Sequence, residues 1–182
     1  EIATKRPSYR WQLLGSYAVG RAFQEQVSVE GESIFGFGAI PVDPNNGVNA
    51  RGPIFWDRTH MFKVSSSYQF PYDVLVSGNF LAQSGPVFTR TVLVEGLNQG
   101  PFTVFAEPRD VSDRLDTLSM VDLRASKVFR LGPNRSVEAL MDIYNLFNAN
   151  TVLSANTLTG AFGSPLTVLS PRIIRFGGRF LF

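Results

Sequence analysis

Few residues in this chain could carry out covalent chemistry. His60 is the only histidine and there is no cysteine, which excludes a thiolate nucleophile, a disulfide scaffold and a thiolate metal site. A serine hydrolase needs a serine, a histidine and a third orienting group. Ser65, Ser66 and Ser67 follow His60 closely, but no G-x-S-x-G elbow occurs to present one of them. With one histidine, a transition-metal site would rest on carboxylates. Asp43, Asp57, Asp110, Asp113 and Asp116 fall in predicted loops, at spacings that do not make a calcium loop, so they are read as solvated turn acids. The glycine-rich stretch at residues 36–41, GFGAIP, lacks the lysine and the following helix of a phosphate loop. The expectation is a non-enzymatic protein without a cofactor.

The more telling polar residues are charges set one residue apart from apolar neighbours: Asp122, Arg124, Glu138, Asp142, Arg175 and Arg179. A period of two places them on one face of a strand and the apolar residues on the other. Six segments carry that period. In the first, about residues 9–20, Trp11, Leu13, Gly15, Tyr17 and Val19 share a face. The second, residues 59–70, sets Phe62, Val64, Ser66, Tyr68 and Phe70 against Lys63, Ser65, Ser67 and Gln69. The third is residues 74–84, with Val74, Val76, Gly78, Phe80 and Ala82 opposing Ser77, Asn79 and Gln83. The fourth, residues 117–130, opposes Val121, Leu123, Ala125 and Phe129 to Asp122, Arg124 and Ser126. The fifth is residues 136–147 and the sixth residues 172–182. Arg124 is within reach of Glu138 or Asp142 on the neighbouring strand.

Each segment runs about 11 residues, which at a tilt near 45° spans roughly 25 Å, the height of a barrel's lipid-facing band; strands of soluble sheets average about 5–6 residues. The links alternate strictly. Residues 71–73 and 131–135 make short turns, whereas residues 21–58, 85–116 and 148–171 make long connections rich in Gly, Pro and Asn. Transmembrane barrels have short turns on one side and long loops on the other. The expected fold is therefore all-β: antiparallel, up-and-down transmembrane β-barrel strands, about six of them, with long extracellular loops and short periplasmic turns. A charge on the lipid face costs about 2–4 kcal/mol at mid-membrane, so the six charges are expected to face the lumen. Phe35, Phe37, Phe55, Trp56, Phe102 and Phe105 lie in the long links and could fill a loop core or touch a ligand.

The bulk composition agrees. The chain has 182 residues, 44% hydrophobic and 18% charged, with a net charge of +2 and sixteen Phe. The charges are mixed rather than gathered on a basic face, so no nucleic-acid partner is expected. No apolar run reaches the ~18 residues of a spanning helix, and residues 1–10 lack the apolar stretch of a signal peptide.

The last residues, RFGGRFLF, fit the outer-membrane assembly signal through Arg175, Gly177, Phe180 and Phe182. DRTHMFKVSSSYQFP, FLAQSGPVFT and LMDIYNLFNANT resemble successive strands of TonB-dependent outer-membrane receptors, above all the large Oar-like type. In that type the penultimate strand commonly ends in a run like Asn145-Leu146-Phe147-Asn148. The resemblance spans nearly all of residues 1–182 and implies the C-terminal portion of a barrel of about 22 strands, with its C-terminus in the periplasm of a Gram-negative cell. It further implies outer-membrane lipid around the wall, the barrel-assembly machinery at the last strand by β-augmentation, and the TonB complex acting through an N-terminal region outside this sequence. A bulky ligand (siderophore, cobalamin, saccharide or peptide) would bind at the extracellular loops. The competing expectations are a structural or adhesive barrel without TonB coupling, and a soluble all-β binding module.

Overall fold

The computed structural model describes residues 2–8, 10–24, 47–98, 100–109 and 113–182. Seven strands form one antiparallel sheet: β1 (Ile2–Ser8), β2 (Trp11–Val19), β3 (His60–Phe70), β4 (Val74–Gln83), β5 (Leu118–Gly132), β6 (Arg135–Tyr144) and β7 (Ile173–Leu181). Each strand pairs only with its chain neighbours, in the order β1 to β7. The fold is all-β and antiparallel. Among the described residues the sheet is open, with β1 and β7 at its edges.

The registers assign every paired residue to a face. Phe62 pairs Tyr17 and Ala82, Val64 pairs Gly15 and Phe80, and Met141 pairs Ala125 and Phe176. This face is mostly apolar across β2 to β7; its formally charged residues there are Lys127, opposite Val74, and Arg135, both at the turn end of the wall. Aromatic side chains collect toward the ends of the face. Trp11, Tyr68, Phe70, Phe129 and Phe180 lie near the short turns. Tyr17, Phe62 and Phe80 lie nearer the long loops, where the Tyr17 hydroxyl is 2.7 Å from His60 Nδ1. The other face carries Lys63, Ser65, Ser77, Asn79, Asp122, Arg124, Glu138, Asp142, Arg175 and Arg179.

Among the described residues, neither face of the wall is covered by another layer. Apolar side chains such as Leu14, Phe62, Phe70, Phe176 and Phe180 are exposed, and β7 is exposed along its whole length. The buried apolar residues Ala50, Val87, Phe105 and Ala155 lie in the long connections, and Leu118 at the loop end of β5. A soluble sheet normally buries at least one face; here the protein core is in the loops.

Four differences from the sequence reading have physical causes. Ile2–Ser8 is a seventh strand, paired with β2 through a tight turn in which Arg10 has φ 76°. Its charged sequence hid the pairing, and it extends the short–long alternation by one hairpin. The fifth segment stops at Tyr144 instead of Phe147, because Asn145 turns left-handed at φ 51°. The fourth segment runs on to Gly132, reducing the turn before β6 to Pro133 and Asn134. The long links, read as irregular, contain short ribbons: Phe23–Gln24 with Gly52–Pro53, Val87–Phe88 with Asp113–Arg114, Thr91–Val94 with Phe102–Phe105, and Val152–Ala155 with Pro165–Val168. Pairings of two to four residues are too short to leave a period in the sequence.

Candidate functional site

The polar face is built by strand registry. Arg124, Asp142 and Arg175 are directly opposite one another on β5, β6 and β7. Arg124 holds Asp142 through Nε and Nη2, the latter donating to Oδ2 at 3.2 Å. Arg175 donates to the same Oδ2 from Nε at 3.0 Å and Nη2 at 2.6 Å, and to the Tyr144 hydroxyl at 2.9 Å. The carboxylate is buried between two arginines that themselves remain exposed. Two rows nearer the turns, beyond the Leu140–Gly177 pair, Arg179 Nη2 donates to Glu138 Oε2 at 2.6 Å. The two alternatives open to Arg124 thus resolve to Asp142, while Glu138 belongs to Arg179. Asp122 makes no ion pair among the described residues; its Oδ1 accepts the Asn145 backbone N–H at 2.9 Å.

The Asn145–Asn148 run is a latch at the root of the third long connection. Asn145 is almost fully buried. Its Nδ2 donates to the Ala149 and Ser170 carbonyls at 2.9 and 2.8 Å, and its Oδ1 accepts the Ala149 N–H at 2.8 Å. Asn148, with φ 53°, accepts the Arg172 N–H through Oδ1 at 2.9 Å. Leu146 N–H donates to the Val121 carbonyl at 2.8 Å, whereas Phe147 projects outward and is exposed. Asparagine suits both left-handed positions, because its short amide can bond locally to the backbone.

At the terminal strand, Phe180 and Phe182 are exposed, with ring centroids 5.8 Å apart. Gly177 lies opposite Leu140, and a Cβ there would meet Leu140 Cδ1 at 3.7 Å. That is ordinary contact, so the pairing of β6 with β7 would admit a side chain at this position.

The described parts of the three long connections are welded into a cap at one end of the wall. Asp57 is its buried acid: Oδ1 accepts the Ala22 N–H at 2.8 Å, and Oδ2 is bound by Arg114 and by the Thr59 hydroxyl at 3.3 Å. Burial pushes the Asp57 carboxyl up, but the Arg114 guanidinium and the Ala22 N–H outweigh it and hold the acid below its usual range. Arg109 is completely buried and donates to the carbonyls of Ala50, at 2.9 Å, and Pro53. Burial lowers its pKa to about 10. Its guanidinium lies 4.8 Å from the Phe55 ring and 5.1 Å from the Phe105 ring. A side chain at Gly52 would collide with Arg109, and one at Gly85 with the Leu115 carbonyl. The second and third connections meet where Thr91 bridges Leu158, Thr159 Oγ1 donates to the Thr91 carbonyl at 2.8 Å, and Phe88 stacks on Phe162 at 5.0 Å.

These contacts divide the loop aromatics. Phe105 fills the cap, Phe102 is half-buried, Phe55 is at the surface boundary and Trp56 is exposed. Phe35, Phe37, Asp43, Asp110 and the GFGAIP stretch lie outside the described residues. Ser65 and Ser67 are on the polar face, opposite to His60, and Ser65 donates to Asn79 Oδ1 at 2.7 Å. No cluster of potential metal ligands occurs among the described residues. Sequence reasoning missed Asp57–Arg114, Arg109 and Tyr144, whose partners are 57, 56–59 and 31 positions away. The chain matches no protein-family model, no curated protein and no solved structure.

Proposed function

We propose that the chain is the C-terminal part of a TonB-dependent outer-membrane receptor of the Oar-like type, and that it takes part in uptake of a bulky ligand. The observation that carries this reading is the pair of unlike faces on an uncovered wall. One face is an apolar band bordered by aromatics; across β2 to β7 its charges, Lys127 and Arg135, lie at the turn end, where long basic side chains reach the interface. The other is a ladder of ion pairs suited to a wetted lumen, with Arg124, Asp142, Arg175, Arg179 and Glu138 mutually satisfied. Every short turn falls at one end and every long connection at the other, the arrangement of periplasmic turns and extracellular loops.

The unpaired edges at β1 and β7 support a larger closed structure, because each unsatisfied backbone group in hydrocarbon costs several kcal/mol. Further strands of the barrel would cover both. On this reading Phe180 and Phe182 present β7 to the assembly machinery, the apolar face meets outer-membrane lipid, and the cap meets the ligand. TonB acts through an N-terminal plug region.

Fractionation tests the proposal. The protein should remain with outer membranes through alkaline and high-salt washes and leave them only in detergent; recovery in the soluble fraction would sink it. Uptake that persists after loss of TonB would instead leave a barrel without energy coupling.

A further inference from the structure

The roots of the three long connections line two adjoining clefts, open to solvent and of about 250 Å³ each, which share Arg58, Pro86 and Leu153 as walls. The first is lined by the aromatic rings of Phe55, Trp56 and Phe88 together with Val87 and Leu115, and Arg58 is its only charged wall. The second is more polar, with Gln83, Ser84, Thr151 and Asp116.

The charge on Arg58 is only partly offset, by the neighbouring Asp57 carboxylate. Its one hydrogen bond is a long donation to the Asp57 carbonyl at 3.4 Å. The nearby Asp57 carboxylate is already held by Arg114, Thr59 and the Ala22 N–H. Among the described residues Arg58 forms no ion pair. Its burial, and the neighbouring charge of Arg114, lower its pKa. A half-buried guanidinium of this kind gains from an external anion, and its planar fork fits a carboxylate through two parallel hydrogen bonds. Flat aromatic walls beside it favour a flat apolar body. Phe88 is held in place by its stack on Phe162. Asp116, exposed in the second cleft, repels a second anionic group.

We propose that this cleft binds a small aromatic monocarboxylate, with the carboxylate on Arg58 and the ring system between Phe55, Trp56 and Phe88. The assignment rests on the transport reading only for its meaning as a substrate class; the binding itself does not depend on it.

The probe is 2-naphthoate, with uncharged 2-methylnaphthalene as its control. Binding would be measured by equilibrium dialysis on the full receptor in lipid nanodiscs, against empty nanodiscs. Saturable naphthoate binding is expected, at least tenfold weaker in Arg58→Gln and intermediate in Arg58→Lys, with methylnaphthalene indifferent to both changes. Trp56→Leu should weaken naphthoate binding while preserving its dependence on Arg58. Equal affinity of the wild type and Arg58→Gln for naphthoate would overturn the proposal, as would equal competition by methylnaphthalene. If Arg58→Gln loses the wild-type circular dichroism, the folded Arg58→Lys protein decides: unchanged affinity there overturns the proposal, and a loss supports it. If the protein fails to fractionate with membranes, the transport reading falls, while the same dialysis on the soluble protein still decides the cleft.

Discussion

Replacing Val64 by arginine separates a lipid-facing wall from a soluble sheet. Val64 lies on the apolar face of β3, between Gly15 and Phe80 on its neighbours. His60 is four residues toward the loops and Tyr68 four residues toward the turns. At a rise of ~3.4 Å and a tilt near 45°, four residues correspond to roughly 10 Å of depth, which puts Val64 near the middle of a ~25 Å band. An arginine at that depth costs about 2–4 kcal/mol. Gly15 offers no side chain as a partner, and an arginine stem is too short to carry its head from mid-band to either interface without distortion. A value near 3 kcal/mol follows, or about 150-fold in the folding equilibrium. Ser65→Arg, one residue on, is the control. It loses one hydrogen bond to Asn79 and adds a charge to the polar face, for less than about 1 kcal/mol. Reversible urea unfolding of the protein in lipid vesicles measures both. Equal effects within about 0.5 kcal/mol, the range of ordinary surface substitutions, would refute the assignment of faces.

Three other outcomes follow from the latch, the cap and the ion-pair ladder. Asn145→Ala forfeits three side-chain hydrogen bonds and leaves alanine at φ 51°, a loss of about 3 kcal/mol; hydrogen exchange at the Ala149 amide should accelerate while the strand amides of β4 stay protected. Because the folded-state pKa of Asp57 is depressed, its contribution is fully present above its unfolded value near pH 4 and is lost as pH falls through the lower folded value. Protease cleavage within residues 47–59 should therefore rise in acid, and Asp57→Asn should show raised cleavage already at neutral pH with a flatter acid response. Tyr144→Phe should leave the Arg175–Asp142 pair in place and change stability by under about 1 kcal/mol, since Arg175 is exposed and keeps its carboxylate; a larger loss by urea unfolding would mean that the tyrosine carries the ladder.

The wall was legible in the sequence because its signal is local. Trp11 to Val19 or Val74 to Ala82 carries the two-residue period within a single window, and long strands repeat it enough times to be read. The ion-pair ladder was half legible: period two placed Arg124 and Asp142 on one face, but the choice between Asp142 and Glu138 needed the register, which the turn at Pro133 and Asn134 sets. The cap was not legible. Asp57 finds Arg114 across 57 positions, and Arg109 reaches backbone carbonyls that any residue could supply. Asn145 was noticed as part of a run, yet its left-handed turn was read as continuing strand because the period from Val137 to Ile143 was carried on to the apolar Phe147, although Asn145 falls at an apolar position of that period. The strand at Ile2–Ser8 was missed for the opposite reason, since Lys5, Arg6 and Pro7 break that alternation.

Accessibility along β4 tests the unlike faces most directly. The chain contains no cysteine, so each introduced thiol is unique. Cysteines in place of Leu75, Val76, Ser77, Asn79, Phe80 and Ala82 would be spin-labelled in the protein in lipid bilayers, and relaxation by oxygen dissolved in lipid compared with relaxation by a water-soluble nickel chelate. Labels at 76, 80 and 82 should respond to oxygen and those at 75, 77 and 79 to the chelate. Equal response to the chelate at all six positions would contradict a wall with lipid on one side and water on the other.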